Sequence, residues 1–136
     1  MILMPKEKTS YRILIVDDDA FLLDMYSLKF SQKGFQVTTS PGTLDALDKL
    51  RGGYVPDILL IDLVMPAMDG FAFLEQLQKD ELARQAMVIV LSNLGQEEDI
   101  LRAKKLGAAD YIIKASATPS EVVDRVLKEV NKRKGS

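Results

Sequence analysis

The sequence predicts an α/β fold: a doubly wound parallel sheet of five strands in a (βα)5 arrangement. Short apolar or β-branched segments alternate along the chain with amphipathic helical patterns. The strand-like segments contain few polar residues, which is typical of strands that helices cover on both faces. Successive βα units also imply right-handed crossovers, which place helices on both sides of the sheet.

The five predicted strands are short, and their apolar or β-branched side chains favour a buried position in a sheet. They span residues 11–16, 36–39, 58–61, 87–91 and 111–113.

Helical patterns follow each of these strands. In the first, Asp19 is a suitable N-cap and Gly34 a suitable C′ glycine, and Phe21, Met25 and Leu28 fall on one face. The second helix is expected to end near residues 52–53, and the third to begin near 69–70. The fourth should run from about 96 to 106, and the fifth should begin at a capping box over 118–121.

Composition excludes several classes of function. The chain has 136 residues, 47% of them hydrophobic, which suits one globular domain. Its formal charge of −2 gives no reason to expect binding to nucleic acid or to a membrane. The absence of cysteine excludes disulfides and thiolate chemistry, and the absence of histidine excludes a phosphohistidine within this sequence.

The sequence shows no targeting or membrane-spanning segment. No apolar run approaches the ~18 residues of a membrane span, and the first residues lack the apolar core of a secretory signal. We therefore expect a cytoplasmic protein with a flexible N-terminal tail (1–10), one domain (11–133) and a flexible C-terminal end (134–136).

Chemistry-bearing side chains stand where the predicted strands end. Asp17 and Asp18 follow the first strand, Asp62 the third, Ser92 the fourth and Lys114 the fifth. Binding sites in doubly wound sheets lie outside the carboxyl ends of the strands. If the first and third strands are neighbours, ~4.8 Å apart, the three carboxylates converge.

Three converging carboxylates suit a hard divalent cation. Mg²⁺ prefers oxygen ligands and is commonly held by one or two carboxylates together with water and phosphate oxygens. A lysine ammonium and a serine hydroxyl are suitable partners for the other oxygens of a phosphoryl group. An aspartate can also act as the nucleophile and form an aspartyl-phosphate.

In this combination the chain resembles the receiver domains of two-component response regulators, over about residues 11–133. The shared motifs are the acidic pair after the first strand, D-x-x-M-P-x-x-D-G after the third, a serine or threonine after the fourth, and a lysine after the fifth. The resemblance implies a flavodoxin-like fold with strand order 2-1-3-4-5.

The resemblance also implies roles for the acidic residues. Asp62 matches the phosphoacceptor, so the protein would catalyse only its own phosphorylation and dephosphorylation. Asp17, Asp18 and Asp62, with the backbone carbonyl of Val64, match the ligands of Mg²⁺. Asp19 matches no chemical role and is assigned to helix capping.

Three further residues match the parts that respond to phosphorylation. Ser92 matches the switch hydroxyl, Lys114 the lysine that pairs with the phosphoryl group, and Tyr111 the aromatic residue that rotates inward. The phosphoryl group would come from a histidine kinase or a histidine phosphotransfer protein. The face formed by the fourth helix, fifth strand and fifth helix would then bind an effector or an output domain, or form a homodimer.

The chain departs from the family pattern at several positions. Alanine follows Lys114, whereas the family usually has proline there, joined to the lysine by a peptide that is often cis. The sequence therefore leaves open the direction in which the Lys114 side chain points. Asn93 stands where the family has a very small residue, and its bulk could slow phosphorylation. Val64 and Leu94 are apolar and occupy the positions that flank the attacking water in the family. Since apolar side chains cannot orient that water, we expect slow hydrolysis of the aspartyl-phosphate.

Two other functions fit part of the sequence. A receiver-fold interaction module that does not use phosphorylation would tolerate the changes at Asn93 and Ala115. A haloacid-dehalogenase-type phosphatase would share the early aspartates, Ser92 and Lys114. The second acidic pair of such phosphatases is missing, and the D-x-x-M-P-x-x-D-G segment has no role in them.

Overall fold

The computed structural model describes residues 10–135 of the chain. The tail predicted for residues 1–10 lies, apart from Ser10, outside the described residues, and so does Ser136 of the predicted C-terminal end. The last helix continues to Gly135.

The described chain alternates strands and helices as the sequence predicts. The strands are β1 (Arg12–Val16), β2 (Gln36–Ser40), β3 (Ile58–Ile61), β4 (Met87–Ser92) and β5 (Ala108–Ile113). The helices are α1 (Ala20–Gln32), α2 (Thr43–Arg51), α3 (Gly70–Lys79), α4 (Glu97–Lys105) and α5 (Pro119–Gly135), with a short 3₁₀ turn at Lys114–Ser116.

All strand pairs are parallel, and the strand order is β2-β1-β3-β4-β5. The predicted fold class and strand order are therefore confirmed. β1 and β3 are neighbours, with Val16 opposite Ile61, so the residues after these two strands emerge side by side. The first four strand boundaries differ from the prediction by at most one residue.

β5 is longer than predicted, because it begins at Ala108 rather than at residue 111. Alanine and aspartate are weak strand formers, so Ala108 and Asp110 did not stand out in the sequence. Pairing with β4 decides their conformation: Asp110 lies opposite Ile89, beside an irregularity in the register at Val88.

Helices cover the sheet on both faces because successive strand residues point in opposite directions. In β1, Leu14 and Val16 pack with α2 and α3, whereas Ile13 and Ile15 pack with α1 and α5. β3 alternates in the same way. The apolar strands thus contribute to two cores at once, which explains their lack of a polar face.

The ends of α1 agree with the prediction. The Asp19 carboxylate accepts a hydrogen bond from the Leu22 backbone N–H, as an N-cap should. Gly34 ends the helix at a positive φ of 90°, which glycine adopts without steric cost.

Two large apolar side chains lie on the exposed face of α1, beside the exposed Asp24. The helix buries Leu23, Tyr26 and Phe30. The face that carries Phe21 and Leu28 points outward, with Phe21 71% exposed. Apolar side chains therefore lie on both sides of this helix.

None of the helices within residues 10–135 combines the length and apolar character that crossing a membrane requires.

At Gly70, the end of the loop between β3 and α3 returns very close to the backbone of Asp62 and Leu63. A Cβ atom there would lie 2.6 Å from Leu63 Cα and 2.7 Å from the backbone oxygen of Asp62. The Gly70 N–H also donates to the Leu63 carbonyl at 2.9 Å. Since the obstructing atoms belong to the backbone, they cannot give way without moving the residue after β3.

We expect Gly70→Ala to lower the free energy of unfolding by about 1–3 kcal/mol, the usual cost of overpacking. Urea unfolding would measure the change. Gly95→Ala is the matched control, because its added Cβ would meet only the end of the Ile113 side chain, at 3.4 Å. Equal stability of the two variants would contradict the close approach at Gly70.

Candidate functional site

The three predicted carboxylates meet at the carboxyl edge of the sheet. Asp17 and Asp18 follow β1, and Asp62 follows the neighbouring β3. One carboxylate oxygen from each lies within 4.8 Å of the other two. Asp17 and Asp62 are buried and Asp18 is exposed, so the cluster opens to solvent on one side.

Backbone hydrogen bonds hold the two buried aspartates in place. The N–H of Asp17 donates to the Ser40 carbonyl at 3.2 Å, and that of Asp62 donates to the Val16 carbonyl at 3.1 Å. These bonds continue the strand pairing by one residue beyond each strand. The position of both carboxylates therefore follows from the register of the sheet.

Each buried carboxylate also accepts a hydrogen bond from the loop that follows it. Asp17 Oδ1 accepts from the Asp19 N–H at 2.9 Å, and Asp62 Oδ1 accepts from the Val64 N–H at 3.1 Å. Each aspartate thus fixes the turn after its strand and keeps its other oxygen, Oδ2, for different contacts.

Lys114 bridges the two buried aspartates. Its Nζ lies 2.7 Å from Asp17 Oδ2 and 2.7 Å from Asp62 Oδ2, and its side chain is only 12% exposed. The peptide bond to Ala115 is trans, as are all those within residues 10–135. The sequence left the aim of Lys114 open; the structure places its ammonium at the centre of the site.

The charges of the site are incompletely balanced. Burial acts to lower the pKa of Lys114, but hydrogen bonds and charges from Asp17 and Asp62 outweigh it, so the pKa is raised and the ammonium stays protonated. Burial raises the pKa of Asp17 despite its bond to Lys114. One ammonium faces three carboxylates, and this set of oxygen donors fits a hard divalent cation.

Ser92 ends β4 and is fully buried. Its Oγ accepts a hydrogen bond from the Leu94 N–H at 3.3 Å, so the hydroxyl is engaged within the β4–α4 loop. β4 adjoins β3, which brings this loop next to the residues that follow β3.

Tyr111 lies in β5 and contacts the same loop from the other side. Its hydroxyl donates to the Leu94 carbonyl at 2.5 Å. Burial, with the negative charges of Asp99 and Asp62, raises the pKa of Tyr111 to about 12, so it stays a neutral donor at physiological pH. Ser92 and Tyr111 thus meet through Leu94, whereas the carboxylates and Lys114 form the centre of the site.

Sequence reasoning missed Thr43, the first residue of α2. This buried side chain donates to the Met68 carbonyl at 2.5 Å and ties α2 to the loop after β3. The two residues are 25 positions apart. No local pattern could have indicated the bond, because it depends on how α2 packs.

Asp17→Asn is expected to stabilise the metal-free protein near neutral pH, because burial disfavours the ionised form of Asp17. Folding raises the pKa of this carboxyl above its ordinary 3.8. The protonated Asp17 carboxyl therefore makes its full favourable contribution to the free energy of unfolding below pH 3.8. This contribution is lost as the pH rises through the raised pKa of the folded protein. The advantage of the variant should shrink towards low pH.

Urea unfolding between pH 4 and pH 8 with a chelator present would measure this advantage. Asp24→Asn, at an exposed position of α1, removes the same charge and serves as the control. Lower stability of the Asp17 variant at neutral pH would mean that the ion pair with Lys114 outweighs the cost of burial.

Known proteins resemble this chain over most of its length. A family model described as the response regulator receiver domain matches residues 13–127. The chain is 35% identical over 124 residues to the chemotaxis protein CheY of Bacillus subtilis, covering 90% of this chain and 97% of CheY. It is 34% identical over 115 residues to the phosphate regulon transcriptional regulatory protein PhoB of Escherichia coli, covering 85% of this chain. It spans about half of PhoB, 49% of its length.

Solved structures show the same fold. A receiver domain protein from Methanospirillum hungatei superposes with a TM-score of 0.82 at 24% identity, over 92% of this chain and 97% of that one. The receiver domain of the Francisella response regulator 1452 gives 0.79 at 28% identity, over 90% and 98%. A BeF3-activated DrrB receiver domain gives 0.76 at 25%, again over 90% and 98%. By family match, curated relatives and fold, this chain belongs to the response regulator receiver domains.

Proposed function

We propose that Asp62 accepts a phosphoryl group in a Mg²⁺-dependent reaction, and that the phosphorylated domain then changes its contacts with partners. The observation that carries this proposal is the position of the Asp62 carboxylate. It lies at the end of a buried strand, beside two further carboxylates and 2.7 Å from the Lys114 ammonium.

Asp17, Asp18 and Asp62, with the carbonyl of Val64, would hold the Mg²⁺ ion. When bound, the ion offsets the negative charge of the carboxylates and of the phosphoryl oxygens. Asp18 is the exposed member of the group, so the open side of the cluster faces the solvent from which ion and donor arrive. To bind the ion, Asp17 and Asp62 would share with it the oxygens that now contact Lys114 and the following turns.

In the reaction, a carboxylate oxygen of Asp62 attacks the phosphorus of a phosphohistidine or an acyl phosphate. The new bond is P–O to Asp62, and the bond from phosphorus to the donor breaks, with the electron pair leaving on the donor. Lys114 is protonated and lies beside Asp62, so it can pair with a phosphoryl oxygen without moving far. The product is an aspartyl-phosphate.

The surroundings of Ser92 support a response to phosphorylation. A phosphoryl group on Asp62 would attract the O–H of Ser92, whose Oγ also accepts a bond from the Leu94 N–H, so a turn of this hydroxyl would pull on the β4–α4 loop. Because Tyr111 donates to the carbonyl of the same Leu94, a movement of this loop reaches β5 directly. The α4–β5–α5 face, which we define as the outer surface of these three elements, would thereby change.

The α4–β5–α5 face is charged, and two of its arginines are paired within the chain. Arg125 of α5 binds both carboxylate oxygens of Asp110 in β5. Arg102 of α4 pairs with Glu75 at 3.2 Å and lies 4.2 Å from the centre of the Phe71 ring. An effector, an output domain or a second copy of the chain would use this face by exchanging such pairs for intermolecular ones.

A histidine kinase or a histidine phosphotransfer protein would be the donor, since this sequence contains no histidine. Two exposed apolar side chains on the outer face of α1 support a protein donor. Phe21, three residues after Asp18, is exposed, and Leu28 lies along the same face. An exposed apolar surface at the mouth of a site suits contact with a partner.

Incubation with acetyl phosphate and Mg²⁺, followed by intact mass over time, tests the phosphoacceptor. We expect a gain of one phosphoryl group in the wild type and none in Asp62→Asn, which keeps the shape of the side chain but is a poor nucleophile. Chelation of Mg²⁺ should abolish the gain.

Phosphorylation of Asp62→Asn to the same extent would place the acceptor elsewhere. No gain in the wild type, together with no binding of beryllofluoride, would favour an interaction module that does not use phosphorylation. Continuous turnover of phosphate monoesters would instead support a phosphatase.

The phosphorylated state should decay slowly, because Val64 and Leu94 cannot orient the attacking water. Val64 is 56% exposed beside Asp62. We expect Val64→Asn to speed dephosphorylation by up to roughly tenfold, the effect of about one hydrogen bond. The decay of the phosphorylated mass after removal of the donor measures the rate.

Val55→Asn is the matched control, because Val55 is also 56% exposed but precedes β3 at the opposite edge of the sheet. A wild-type half-life of seconds, or equal decay in the two variants, would contradict the prediction.

A further inference from the structure

One hydrogen bond joins the neighbours of two site residues. The side-chain oxygen of Asn93 accepts from the backbone N–H of Ala115 at 2.9 Å, across 22 positions of sequence. Asn93 directly follows Ser92, and Ala115 directly follows Lys114. The bond therefore connects the β4–α4 loop to the start of the turn that carries the lysine.

The bond depends on both residue types. Ala115 provides a backbone N–H, which a proline at this position would lack. Asn93 provides an acceptor long enough to cross between the loops, which an alanine would lack. Since Ala115 has no ring to restrict its backbone, the orientation of the residue after Lys114 has to be set by contacts.

We propose that Asn93 is a positioning residue for the phosphorylation reaction: it fixes the backbone at Ala115 so that Lys114 reaches Asp17 and Asp62. This inference rests on the proposed function. Asn93 acts through the lysine, because its side-chain oxygen binds the backbone of the residue that follows Lys114.

The proposal predicts that loss of the Asn93 hydrogen bond changes the position of the Lys114 side chain more than it changes the stability of the fold. Asn93 and Ala115 are both exposed, so water can replace the lost hydrogen bond and little folding free energy is at stake. Lys114, by contrast, is held within 2.7 Å of two carboxylates, a geometry that a small shift of its backbone would disturb. Small errors of position can be costly to a reaction rate.

The proposal and simple steric obstruction by Asn93 make opposite predictions. If Asn93 only narrows the site, Asn93→Ala should be phosphorylated faster than the wild type. If Asn93 positions Lys114, Asn93→Ala should be slower, by roughly three- to tenfold. Asn93→Leu keeps the bulk but removes the acceptor, and positioning predicts that it is slow as well.

The experiment is a double-mutant cycle with Ala115→Pro, which removes the donor. We would measure the rate of phosphorylation by acetyl phosphate and, in metal-free protein, the NMR signal of the Lys114 ammonium. In the protein that keeps Ala115, Asn93→Ala should slow phosphorylation and shift the Lys114 signal. In the Ala115→Pro protein, Asn93→Ala should change neither the rate nor the signal. Urea midpoints should stay unchanged within error.

Three results would overturn the proposal: faster phosphorylation of Asn93→Ala, equal slowing in both backgrounds, or an unchanged ammonium signal. The ammonium signal needs no phosphoryl donor. If the wild type takes up no phosphoryl group, the proposed function fails, and the signal still decides whether Asn93 positions Lys114.

Discussion

The site depends on one interaction, the bridge from the Lys114 ammonium to Asp17 and Asp62. It joins three strands that are far apart in sequence, since the lysine follows β5 and the aspartates follow β1 and β3. Buried carboxylates are costly unless they are paired, and here a single cation serves two of them. This partial compensation leaves negative charge in the site and explains its suitability for a divalent cation.

The parallel sheet fixes the positions of the two buried aspartates. The backbone bonds of Asp17 and Asp62 continue the strand pairing, so both carboxylates are positioned by the register of β1 and β3. Gly70 then allows the loop after β3 to return close to the strand end. The cores on both faces of the sheet bury β1 and β3, so the two buried aspartates follow strands that are packed on both sides.

The centre of the site and the loop beside it are held by separate contacts. Asp17, Asp62 and Lys114 form a buried centre, whereas Ser92 and Tyr111 meet through the backbone of Leu94 in the adjoining loop. Asn93 connects this loop to the residue after Lys114. The β4–α4 loop therefore contacts both β5 and the turn that carries Lys114, as the proposed response to phosphorylation requires.

The sequence by itself determined the fold class and the membership of the acidic cluster. Apolar strands must be covered on both faces, and polar residues after them collect at one edge, so Asp17, Asp18 and Asp62 could be found from local patterns. The sequence could not decide which face of α1 is buried, where β5 begins, or how Lys114 is aimed. These depend on packing and on bonds between distant residues, such as Asn93 with Ala115, and only the tertiary structure brings such residues together.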